Sequence, residues 1–229
     1  MNAARSTLLL SLLLAACHAT SAPSAVRSFG TMREVLRMGQ HQGRVAVATE
    51  TRPGTVGVGA LAGLAGEVTI LDGRALVSKR RGDAAPVRPA RAEDQAALLV
   101  AAEVPRWTEH ALAPCADYAA LEEQVHAALL AGGFDPGAPT PVKVTGRAPR
   151  LQLHVIAGAC PVATPGGPPP WRFDGPADAV TLVGFFVEGA AGRLTHHTHR
   201  SHLHAVTRDA AGHLDELQLE EARLFLPAR

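Results

Sequence analysis

Aromatic residues are scarce in this 229-residue chain, at 4%, with a single tyrosine, two tryptophans and six phenylalanines. Cysteine is nearly absent too, with three residues, too few and too separated for a cysteine-based zinc site. No apolar run reaches the 18 residues that a spanning helix needs, and mean hydropathy is only +0.07, which excludes a polytopic helical membrane protein. The net charge is +1 and no long basic run exists, so binding to nucleic acid or an anionic membrane through bulk charge is excluded. Also missing are a Gly-x-Ser-x-Gly elbow, a Walker loop and a dinucleotide fingerprint. What is present is a chain that is 47% hydrophobic, with 22 glycines and 17 prolines. That Gly plus Pro share lies below the disordered range, so a packed core is expected in one large domain or two small ones.

The first 16 residues read as a secretion signal. Arg5 supplies a short positive region, and Leu8 through Leu14 form an apolar run broken only by Ser11. The run ends in Leu14-Ala15-Ala16-Cys17, which resembles a bacterial lipobox, where cleavage precedes a cysteine that is then lipidated. An ordinary signal peptide cut near Ala16 or Ala19 is the alternative. Residues 17–28 form an Ala/Ser-rich tether. The expected protein is exported, periplasmic or membrane-anchored, and touches the membrane only through a lipid on Cys17. Cys115 and Cys160 then remain as an even pair, either bridged in an oxidising compartment or both buried as free thiols.

Periodicity gives a β-rich chain with few helices. Residues 31–39 carry Met32, Val35, Leu36 and Met38, a short amphipathic helix; residues 44–49 read as a strand. Residues 54–66 hold five glycines, a poor helix and an odd strand, which points to tight turns or close backbone approach. Residues 67–71 and 74–79 form strands around Asp72-Gly73, the strongest hairpin signal present. Residues 80–91 read as a polar loop, while 96–104 are ambiguous between helix and strand. Residues 117–131 are a helix with Leu121, Val125, Ala128 and Leu129 on one face, stopped by Gly132-Gly133. Strands follow at 151–157, 180–187, 201–207 and 213–219, with a Pro/Gly loop at 161–170.

Histidine is the unusual abundance. Six of the eleven histidines fall between positions 196 and 213. Residues i and i+2 of a strand share a face, so His202 and His204 can present two imidazoles to one ion. His213 lies just past the following turn and supplies a third. Three histidines with an open fourth position describe a catalytic zinc site better than a closed structural one. His197 and His199 repeat the His-x-His spacing and would face away from the other pair by strand alternation. A solvated histidine-rich edge without a specific ion is the other reading. Trp107 and Trp171 can be pocket walls or ordinary aromatics, and His110 and His126 read as exposed.

The stretch Ser201-His202-Leu203-His204, followed by Gly212-His213-Leu214-Asp215, resembles the metal motif of acetolactate decarboxylases. Upstream, the Gly-rich segment from Gly57 to Gly66-Glu67 and then Leu71-Asp72-Gly73 is similar to that family, as are Leu182-Val183-Gly184-Phe185 and the opening at Thr31-Met32 and Gly43-Arg44-Val45. The resemblance covers residues 29–227. It implies an α/β (α+β) fold of two sub-domains, a mixed β-sheet with helices and a smaller β-barrel-like unit carrying the metal. It also implies a homodimer acting on a small hydroxy-keto acid. By the resemblance, His202, His204 and His213 are Zn2+ ligands and Glu67 is the active-site glutamate. The implied reaction is zinc-dependent decarboxylation of 2-acetolactate (2-hydroxy-2-methyl-3-oxobutanoate) to acetoin. Three departures accompany it. His154 stands where the family has an active-site arginine, and Arg147 or Arg150 replaces it only by a register change. Ser201 stands in place of a tyrosine. Finally, the chain stops before a second family glutamate, leaving Glu216, Glu220 or Glu221 as candidates. An altered member that binds zinc and a hydroxy-keto acid, and a zinc-buffering lipoprotein, are the competing readings.

Overall fold

The computed structural model describes residues 25–159, 167–195 and 198–229. The signal peptide, Cys17, most of the tether, Cys160, the first part of the 161–170 loop, His196 and His197 lie outside the described residues. The first half of the chain builds one sheet from β1 (Arg27–Phe29), β2 (Val45–Ala46), β3 (Thr55–Leu61), β4 (Glu67–Leu71), β5 (Arg74–Ser78), β6 (Val87–Pro89) and β7 (Gln95–Glu103). Its order is β1-β7-β3-β4-β5-β6, with β2 also on β7. The second half contributes β8 (Trp107–Ala111), α1 (Tyr118–Ala131), β9 (Thr140–Val155), β10 (Trp171–Phe186), β11 (Ser201–Val206) and β12 (Ala211–Pro227). These strands form a five-stranded sheet ordered β11-β10-β9-β12-β8.

The expected α+β class is what the structure shows, in the form of two sheets and few helices. Two details differ. Every pairing between named strands is antiparallel, so the sheet expected to be mixed is not. The barrel-like unit takes the form of a curled sheet, because β11 pairs with β10 on one side and with β12 on the other. No helix among the described residues is long and apolar enough to cross a membrane.

Alternation along β10 shows how the layers stack. Leu182 and Phe186 pack toward α1, whose Leu121, Val125 and Leu129 complete that core. Val183 and Phe185 point the other way, onto Val56 and Val58 of β3 and Val100 and Ala102 of β7. The five-stranded sheet is therefore sandwiched between helix and first sheet, with apolar residues on both faces. Asp117 caps α1 by accepting from the Ala120 N–H at 2.8 Å, and Gly133 ends it at φ +69°. The hairpin at Asp72-Gly73 forms as expected, with φ values of +50° and +82° at its two turn residues.

The local readings failed where tertiary pairing overrode short-range pattern. The expected helix at 31–39 is a five-residue helical turn at Arg33–Arg37. The strand at 44–49 shortens to two residues before a helical turn, and the ambiguous segment is β7. The long strands β9, β10 and β12 extend well beyond the apolar segments that announced them.

Cys115 is buried with a free thiol, and its candidate partner Cys160 lies outside the described residues. Gly212, next to His213, marks a close fit between strands. A Cβ there would lie 2.4 Å from the His154 carbonyl oxygen, so a side chain would part β12 from β9. Replacing Gly212 with alanine is expected to cost about 1–3 kcal/mol. Urea unfolding of the variant against the wild type measures it.

Candidate active site

Strand register assembles the site. His204 of β11 lies directly opposite His213 of β12, and His213 lies opposite His154 of β9. His154 in turn lies opposite Arg172 of β10. Directly opposed residues share a sheet face, so the four side chains form one row across four strands. His202, two residues before His204, joins the same face. One ring nitrogen from each of His202, His204 and His213 falls within 4.8 Å of the other two, close enough that they could hold a metal ion, and all three residues are buried. Ring centroids within the trio are 5.1–5.7 Å apart.

The first sheet closes the other side. On β4, Glu67 and Thr69 are two residues apart and share a face. The Thr69 hydroxyl is 2.8 Å from His204 Nδ1. With Nδ1–H donating to that oxygen, Nε2 carries the lone pair and lies 3.7 Å from Glu67 Oε2. Glu67 Oε1 accepts from the Ile156 N–H at 3.2 Å. Burial pushes the Glu67 carboxyl up to about 7, against the opposing pull of His154 and the Ile156 amide. The glycine before Glu67 serves the fold. A Cβ on Gly66, at φ +154°, would sit 2.1 Å from the Ser78 carbonyl of β5.

Asp215 sits at a register shift of β12 between Leu214 and Glu216, where the extra residue re-aims a side chain. Its Oδ1 accepts from His154 Nδ1 at 2.7 Å and its Oδ2 from Arg172 at 2.8 Å. A cavity of about 230 Å³ opens onto this face. Glu67, His154, His202, His213, Asp215 and Arg172 line its polar side; Met32, Leu36, Leu98 and Ile156 line its apolar side. His199 also faces it, stacked on Tyr118 with centroids 4.5 Å apart and 3.7 Å from Glu122 Oε2. Because β11 starts only at Ser201, the alternation expected to turn His199 away does not reach it.

Comparison with solved structures gives the fold its relatives. The alpha-acetolactate decarboxylase from Bacillus subtilis strain 168 superposes with a TM-score of 0.73 at 18% identity, over 90% of this chain and 86% of that one. The chain has the acetolactate decarboxylase fold. Acetolactate decarboxylase from Bacillus subtilis subspecies spizizenii gives 0.71 at 18% identity, covering 90% and 87%. A Staphylococcus aureus protein of unknown function similar to alpha-acetolactate decarboxylase gives 0.67 at 16%, covering 88% and 84%. No protein-family model and no curated protein match the sequence.

The residues at which the sequence departs from the acetolactate decarboxylase pattern take the following places. His154 faces the cavity, whereas Arg147 is engaged by Glu220 and Glu221, and Arg150 is not among the residues lining it. Glu216 accepts from the Tyr118 N–H at the start of α1, so none of the three late glutamates lines the cavity. Ser201 donates to Glu122 and lies 3.1 Å from the Tyr118 hydroxyl, which places a phenol from α1 beside it. Trp107 and Trp171 do not line the cavity, and His126 lies against Glu188 and Phe186. Sequence reasoning missed Arg172, Asp215, Thr69 and Tyr118. Asp215 stood inside the quoted motif, but only the register shift reveals its direction.

A buried acid with a raised pKa weakens the fold once it ionises. In the metal-free protein no such penalty exists below about 4.5, the group's ordinary value; it grows through neutral pH and is complete above about 7. Glu67→Gln is therefore expected to raise the stability of the metal-free protein at pH 8 relative to its effect at pH 5. Urea melts at the two pH values check this; an equal effect at both contradicts it.

Proposed function

We propose that this protein is a divergent acetolactate decarboxylase that releases CO2 from 2-acetolactate and returns a proton to give acetoin. The observation that carries this reading is the buried His202, His204 and His213 trio beside Glu67, with His202, His213 and Glu67 lining one cavity, within this fold. The donor set fits Zn2+: three imidazoles are close enough to share one ion, and Thr69 orients one of them. When bound, zinc supplies Lewis-acid stabilisation of developing negative charge on substrate oxygen.

The chain's own residues do the rest. Glu67, buried beside His204 and lining the cavity, is placed to hold and deliver the proton that replaces CO2. His154, fixed through Nδ1 by Asp215, lines the cavity as a hydrogen-bonding group for the substrate. The aliphatic wall of Met32, Leu36, Leu98 and Ile156 suits the substrate's methyl groups and keeps water from the reacting carbons. The apolar leader ending at Cys17 supports an exported, lipid-anchored protein. His154 in the arginine slot favours, as a second reading, a member with altered chemistry that binds zinc and a hydroxy-keto acid without turning acetolactate over.

Zinc-loaded protein incubated with racemic acetolactate separates the two. Acetoin and CO2 release that a chelator abolishes is the expected result. Glu67→Gln is expected to lower kcat by about 10²–10⁴-fold with zinc content unchanged. Absence of chelator-sensitive turnover in the wild type refutes the decarboxylase assignment.

A further inference from the structure

Among the described residues lining the cavity, Arg172 is the only lysine or arginine. It ends the row His204, His213, His154, Arg172, so the guanidinium lies on the same sheet face as the imidazoles. Its side chain is 59% exposed, which puts it at the cavity mouth. Such a long side chain is ordinarily free to wander, but Asp215 accepts from its Nη1 at 2.8 Å. The same carboxylate holds His154 with its other oxygen, which couples mouth and interior.

The electrostatics of the cavity need this cation. Glu67 and Asp215 both face the cavity, and an entering anion meets two carboxyl groups. Arg172 offsets them at the entrance with a charge that does not titrate near neutrality. A guanidinium has five N–H donors in a planar fork that matches the two oxygens of a carboxylate. The contact to Asp215 engages one end of that fork.

We propose that Arg172 is the carboxylate-recognition residue of this cavity, selecting 2-hydroxy acid anions over uncharged molecules of the same shape. The inference rests on reading the cavity as a small-acid site, but not on decarboxylation taking place there. Arg172 acts on binding and specificity, and Asp215 is its positioning residue.

The test uses zinc-loaded protein and two unreactive probes, 2-hydroxy-2-methylpropanoate and its uncharged amide. Titration calorimetry at low and high salt gives both affinities. Arg172→Met is expected to weaken the acid roughly 5- to 50-fold, the range for a charge-assisted contact at a half-exposed position. The amide keeps its affinity, and zinc content stays the same. Arg172→Lys keeps the charge but loses the fork, so it falls between the two. In the wild type, raising salt weakens the acid more than the amide, which holds the inference open to refutation even if a variant folds poorly. Equal affinities for acid and amide in the wild type, or equal losses for both in Arg172→Met, overturn it. Failure of the wild type to turn over acetolactate, with Arg172-dependent acid binding intact, removes the proposed reaction and leaves this inference standing. Turnover with acid binding indifferent to Arg172 does the reverse.

Discussion

The register of β11 against β12, and of β12 against β9, is the constraint on which the site depends. Side chains alternate along each strand, so a slip of one residue would send His204 or His213 to the opposite face. The fold fixes this register from both sides. β10 pairs with β11 and β9 at once, and Gly212 lets β12 lie close against the His154 carbonyl. Apolar residues pack on both faces of the sheet, so a slipped strand would also bury the wrong side chains. The three imidazoles meet because the core leaves that strand alignment no alternative.

The first sheet contributes what a sheet of histidines lacks. Thr69 sets the orientation of one ring, and Glu67 brings an acid into a place where burial keeps it near neutral. Both come from β4, whose other face holds Val68 and Ile70 in a separate apolar cluster. One short strand therefore belongs to the core and the site together. The same economy holds at Asp215, where one carboxylate fixes a histidine and an arginine across the sheet.

Much of this was legible in the chain. The His-x-His spacing at His202 and His204 predicted a shared face because strand geometry leaves no other arrangement. The hairpin at Asp72-Gly73 and the helix after Asp117 followed from turn and capping chemistry. Glu67 was found by resemblance, and its position beside His204 follows from how the two sheets pack, which no local pattern contains. Arg172 was invisible for a related reason. It lies eighteen positions after His154 along the chain, and only the β9–β10 register sets the two opposite each other. The extended lengths of β9, β10 and β12 were hidden because their outer segments carry polar residues that pair with neighbours instead of joining the core.

X-ray absorption spectroscopy on zinc-loaded protein tests the central claim most directly, because it reads the ion's own neighbours. The account predicts one zinc per chain with three imidazole nitrogens at about 2.0–2.1 Å and oxygen in the remaining coordination position. Sulfur in the first coordination sphere, or fewer than three imidazoles on the ion, would contradict it.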